Sequence, residues 1–181
     1  NALSKWCEVT VFKGGKEYFA RFESVKDEKG KVHSGICTKP LKEVGNTTKN
    51  GTFVKFLPDS EVFKDATFDF ETVSKRLKEL AFLNKGIEIE FSDERTNEAE
   101  TYKFDGGLAD FVKYVNKDKL SLFQPALYIE GQSDIVKLEL AIAYNDSYTD
   151  SVFSYVNNIP TTEGGTHETG FRTALTKVMN E

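Results

Sequence analysis

Few residues in this chain stand where their types and spacing suit chemistry. Gly14-Gly15-Lys16 has the outline of a phosphate-cradling loop, in which backbone N–H groups and a lysine hold phosphate oxygens. Two parts are wrong, because Glu17 stands where a Ser or Thr hydroxyl should hold magnesium and Thr10 stands where the upstream glycine is needed. A Gly-Gly pair between alternating runs reads instead as a tight hairpin turn. His167-Glu168 opens like the helix of a zinc protease, but Phe171 takes the place of the second histidine, so a two-ligand helix face does not form. With His33 and His167 as the only histidines, no Ser/His/Asp or Cys/His arrangement can be assembled. Cys7 and Cys37 lack Cys-x-x-Cys or metal-ligand spacing and read as plain reduced thiols. The expectation is no catalytic residue and no metal site.

Composition limits the partners. Among 181 residues, 39% are hydrophobic and 13% aromatic, enough to bury a substantial core in one large domain or two small ones. Lys and Arg number 24 against 29 Asp and Glu, a net charge of -5, so no whole-molecule basic field draws the chain to nucleic acid or to an anionic membrane. Any DNA contact has to be a local patch. No apolar run approaches the roughly 18 residues of a spanning helix, and Asn1-Ala2-Leu3-Ser4 does not read as a signal peptide, so a soluble, cytoplasmic protein is expected. The Asn-x-Ser/Thr triplets at Asn46, Asn50 and Asn145 carry no weight in such a protein.

The elements that position these residues follow from periodicity. Asn1 to Trp6 reads as the tail of a helix. Residues 8–13 and 16–22 alternate polar with apolar around Gly14-Gly15, a hairpin signature, and the polar stretch from Glu23 to Gly35 reads as a solvated loop. Residues 52–57 form another strand, stopped at Pro58-Asp59. Phe70, Val73, Leu77, Leu80 and Ala81 recur at three- and four-residue steps, which predicts an amphipathic helix ended by Gly86. Residues 87–91 and 101–104 predict a second hairpin. After Gly106-Gly107 come a short helix over 108–115, strands over 125–129, 136–144 and 151–156, and a helix from about Thr169 onward. Hairpins and helices without regular strand-helix alternation indicate an α+β fold.

Specific runs go further. Gly51-Thr-Phe-Val-Lys-Phe-Leu-Pro-Asp59, Arg76-Leu-Lys-Glu-Leu-Ala-Phe-Leu-Asn84, Asp93-Glu-Arg95 and Phe104-Asp-Gly-Gly107 resemble, in order and spacing, the B subunits of bacterial type II DNA topoisomerases, DNA gyrase and topoisomerase IV. Ala143-Tyr-Asn-Asp146, Phe153-Ser-Tyr-Val-Asn-Asn-Ile159 and Glu163-Gly-Gly-Thr-His-Glu-Thr-Gly-Phe-Arg-Thr-Ala-Leu175 are similar to the transducer signature of that family. Two other readings stay open on the residues alone: a noncatalytic α+β interaction module, and another GHKL ATPase such as a mismatch-repair protein.

The resemblance implies that residues 1–105 are the C-terminal part of a Bergerat-type (GHKL) ATPase α/β sandwich. Residues 106–181 would be a ribosomal-S5-domain-2-like transducer, truncated at its C-terminus. It implies ATP and Mg2+ as cofactors of the full-length protein, with none tightly held by this chain. The glutamate base, the magnesium-holding asparagine and the glycine-rich lid would lie upstream of Asn1, and the lysine that reaches the γ-phosphate beyond Glu181. The implied partners are DNA, a gyrase A subunit in a heterotetramer of two A and two B subunits, and a second B subunit on ATP binding. Thr52 would lie at the floor of the adenine pocket with Val54 as an apolar wall, and Lys13 near the pocket mouth. Arg172 would contact the phosphates of captured DNA, with Lys177 on the same predicted helix. The bland counterpart for Arg172 is a pairing with Glu168, four residues earlier.

Overall fold

The computed structural model describes all residues, Asn1–Glu181, as two compact units, Asn1–Phe68 and Asp69–Glu181. In the first unit β1 (Ser4–Lys13), β2 (Lys16–Lys26), β3 (Val32–Asn46) and β4 (Gly51–Pro58) form one sheet in the order β3-β2-β1-β4. Every neighbouring pair is antiparallel. Gly14 and Gly15 both have positive φ, 62° and 78°, the turn that matches strand twist and that side chains with a Cβ resist. Lys13 opposite Lys16 closes it.

Two expectations fail here. Asn1 to Trp6 is no helix tail, because the chain enters β1 at Ser4 and Trp6 onward is paired on both sides, by β2 and by β4. Cross-strand pairing overrides local propensity. The polar stretch from Glu23 is no long loop either, since β2 continues to Lys26 and β3 begins at Val32. Only the tip turns, where the Asp27 carboxylate accepts the Lys29 and Lys31 backbone N–H groups, each at 2.9 Å. The rest of β3 leaves little trace in the sequence because its register shifts repeatedly against β2, which blurs a two-residue alternation. Pro40 is tolerated because β3 is an edge strand.

In the second unit α1 (Phe70–Leu83) starts where its periodicity begins, and the Asp69 side chain caps it by accepting the Thr72 N–H at 2.8 Å. The hairpin of β5 (Glu88–Asp93) and β6 (Glu98–Lys103) follows, then α2 (Leu108–Val115) and a second hairpin of β7 (Leu127–Gln132) and β8 (Lys137–Ile142). The strand expected over 151–156 shrinks to β9 (Tyr155–Val156), paired with β10 (Ile159–Pro160) across a two-residue turn, before α3 (Thr166–Asn180). Asn157 and Asn158 adopt φ of 50° and 65° in that turn, a left-handed conformation that asparagine accepts more readily than most residues.

Phe82, 2% exposed, is the hub of this unit. Its ring stacks on Phe104 with centroids 3.6 Å apart and lies 5.3 Å from Phe111 and 5.5 Å from Tyr114. Phe111 passes the packing on to Phe153, edge to face at 5.3 Å. A polar tie runs beside it: Arg76 donates to the Asn158 carbonyl at 2.6 Å, and the Asn158 amide donates to the Asn84 side chain at 2.9 Å. Helix α1 is therefore bound into the same core as the Phe153–Ile159 run.

Candidate functional site

The register of the first sheet decides which expected residues share a surface. Thr52 lies opposite Val11 and Val54 opposite Val9. Lys13 is two residues beyond Val11, so strand alternation puts Thr52, Val54, Val9, Val11 and Lys13 on one sheet face. Strand β4 is an edge, and Thr52 and Val54 are exposed on it, Val54 at 53%. The Thr52 hydroxyl has no hydrogen-bond partner within the chain. Lys16, opposite Lys13, is held by Glu43 at 2.6 Å, and that carboxylate raises the pKa of the Lys16 ammonium. Lys13 has no such carboxylate. The face thus offers an apolar floor, one uncommitted hydroxyl and one unpaired cation.

The second set of residues lies on α3. Arg172 donates from Nε to Glu168 at 3.0 Å and from a terminal nitrogen to Asp150 at 3.4 Å. Both hydrogen bonds keep its guanidinium firmly protonated, the Glu168 bond most. Lys177 sits five residues further on, in the last turn, where its charge complements the helix macrodipole. At about 100° per residue the two cations do not share a narrow stripe. Beside Arg172 lies an open hollow of about 310 Å³ lined by Phe153, Ser154, Tyr155, Thr161, Glu168 and Arg172 among others. Burial pushes the Tyr155 phenol up.

Two features of this region had no sequence signal strong enough to find them. Asp150 is 22 residues from Arg172, beyond any local pairing rule. The Thr161 hydroxyl sits 2.6 Å from that of Ser154 and 3.0 Å from His167 Nε2, which ties the Gly-Gly-Thr-His run to the β9-β10 turn. His167 is thereby given a structural partner. No group of three His, Cys, Asp or Glu side chains converges on a point that would suit a metal ion, and no helix is long and apolar enough to cross a membrane.

Comparison with known proteins gives this geometry its context. The family described as DNA gyrase B matches residues 107–181. The chain is 44% identical to the DNA gyrase B subunit of Clostridium acetobutylicum and 42% identical to the DNA topoisomerase 4 B subunit of Streptococcus pneumoniae, in each case over 100% of this chain. It spans 27% of the length of each of those relatives. The 43K ATPase domain of Thermus thermophilus gyrase B, solved in complex with an aminocoumarin, superposes with a TM-score of 0.80 at 34% identity, covering 99% of this chain and 47% of that one. The α+β fold is thus shared, over almost the whole chain, with that gyrase B ATPase domain. Along its whole length the chain is similar to gyrase B and topoisomerase IV B subunits, and residues 107–181 match the DNA gyrase B family.

Proposed function

We propose that this chain works as part of the B subunit of an ATP-dependent type II DNA topoisomerase, coupling ATP binding and hydrolysis to the passage of one DNA duplex through another. The observation that carries the reading is the structural correspondence with a gyrase B ATPase domain over 99% of the chain. Residues 1–105 then form the C-terminal part of the ATPase domain and residues 106–181 the transducer, a division supported by the family match that begins at residue 107. Tight packing of α1 against the later residues through Phe82 suits a relay between the two.

The face bearing Thr52 and Val54 fits the adenine of ATP, with the Thr52 hydroxyl donating or accepting a direct or water-mediated hydrogen bond and Val54 packing on the ring. Lys13 stands at the mouth of that face. ATP supplies the energy of the cycle when bound. Within this chain the role proposed for these residues is to bind and orient the base. Arg172, with Lys177 further along α3, is proposed to meet DNA phosphates, which carries no sequence information. The partners would be DNA, the gyrase A subunit or its topoisomerase IV counterpart, and a second B subunit that closes on ATP binding, all in the cytoplasm.

Calorimetry on the full-length subunit tests the adenine assignment. Thr52→Ala removes one hydrogen bond, worth about 0.5–1.5 kcal/mol, and should weaken nucleotide binding several-fold while the fold survives. Unchanged nucleotide affinity would make Thr52 an ordinary strand residue.

A further inference from the structure

The face of the first sheet opposite Thr52 and Val54 has a composition of its own. By register it carries Trp6, Glu8 and Phe12 of β1, Glu17, Phe19, Arg21 and Glu23 of β2, Lys39 and Lys42 of β3, and Phe53 and Lys55 of β4. Four cations lie over its rings: Arg21 at 5.2 Å and Lys55 at 6.0 Å from the Trp6 centroid, Lys39 at 6.0 Å from Phe19, and Lys49 at 5.6 Å from Phe12.

The charges on this face are unequally committed. Arg21 is taken up by Glu8 and Glu23. Glu17 is the remaining carboxylate. Lys39, Lys42, Lys49 and Lys55 are all exposed and none forms a close ion pair, although Lys39 acts on Glu23 from a greater distance; three of the four rest against rings. A lysine resting on a ring keeps its full charge and its N–H donors for another anion. A surplus of cations here is local, because the chain as a whole is acidic at -5. Charge of this sign, spread over a broad exposed sheet rather than gathered in a pocket, is complementary to a repeating polyanion.

We propose that the Trp6 face of the four-stranded sheet binds the sugar–phosphate backbone of duplex DNA, through Lys39, Lys42, Lys49 and Lys55, without reading sequence. This contact is separate from the one assigned to Arg172, and it stands whether or not that assignment holds. Its use would be to hold a length of duplex against the outside of the ATPase portion.

Trp6 is the only tryptophan of the chain, so its fluorescence reports on this face alone. The 181-residue chain is titrated with a labelled duplex of about 20 base pairs at low salt, where phosphate contacts are strongest, reading probe anisotropy and tryptophan emission together. The expected result is one binding curve in both signals, weakened by salt as phosphate contacts are. The triple variant Lys39→Gln, Lys49→Gln, Lys55→Gln should keep its circular dichroism spectrum, lose most of the affinity, and lower the slope of log K against log salt by about 3, or about one for each lysine. Lys103→Gln with Lys113→Gln, outside this sheet, should bind as the parent does. The proposal is overturned if anisotropy rises with no change in Trp6 emission, if the triple variant binds as the parent does, or if Arg172→Ala alone abolishes both signals. It is equally overturned if poly-glutamate gives the same Trp6 response at the same affinity, which would make the face a docking surface for an acidic protein.

Discussion

Arg172 and Glu168 are paired within one turn of α3, Nε to Oε1 at 3.0 Å, while Asp150 approaches the same guanidinium from a distant loop at 3.4 Å. Arg172 is about half exposed and Asp150 is 80% exposed, so water screens these contacts and they stabilise the fold little. A phosphate can therefore compete for the guanidinium. On the proposed role, Arg172→Ala in the full-length subunit with its partner should lower DNA-stimulated ATP hydrolysis more than basal hydrolysis, and the defect should deepen as salt screens the remaining phosphate contacts. Equal loss of both activities, with a lower melting temperature, would show that Arg172 serves only to pair with Glu168 and Asp150.

Phe82 joins α1 to Phe104, Phe111 and Tyr114 and is almost fully buried. Phe82→Ala should cost about 3–5 kcal/mol in urea denaturation, since the lost transfer energy is joined by an unfilled cavity. Phe53→Ala, at a side chain 55% exposed, should stay within about 0.5 kcal/mol. Similar costs for the two would mean that the aromatic cluster is not the centre of the core.

At the tip of the β5-β6 hairpin, the Arg95 guanidinium and backbone N–H bind Asp93 and lower its pKa from 3.8 to about 2. A carboxyl depressed in the folded state stabilises that state above its unfolded pKa, and the benefit is lost as pH falls through the folded value. The hairpin tip should therefore loosen between about pH 4 and pH 2. Carbon chemical shifts of the Asp93 side chain should titrate near 2 and move back toward 3.8 in Arg95→Gln. Titration of the parent near 3.8 would show that the pair does not form.

Much of the second unit is legible in the sequence because its periodicity is simple. The spacing of Phe70, Val73, Leu77 and Leu80 marks α1, and the glycine pair at 106–107 marks the entry to α2. The first unit is legible only in part. Trp6 looks like the end of a helix because nothing local reveals a strand paired on both sides, and β3 hides behind Pro40 and shifting register. The same limit applies to the sites. Resemblance singles out Thr52 and Val54, but only the register of β4 against β1 puts them on a face with Lys13. Asp150 is invisible for the same reason, since its partner lies 22 residues away.

A role in ATP-driven passage of duplex through duplex is tested most directly by linking number. Passing one duplex through a break in both strands of another changes the linking number of a closed circle in steps of two, whereas single-strand passage changes it in steps of one. The full-length subunit mixed with its A partner should shift a single purified topoisomer in steps of two only when ATP and Mg2+ are present. Steps of one, or no shift with nucleotide bound, would contradict that role.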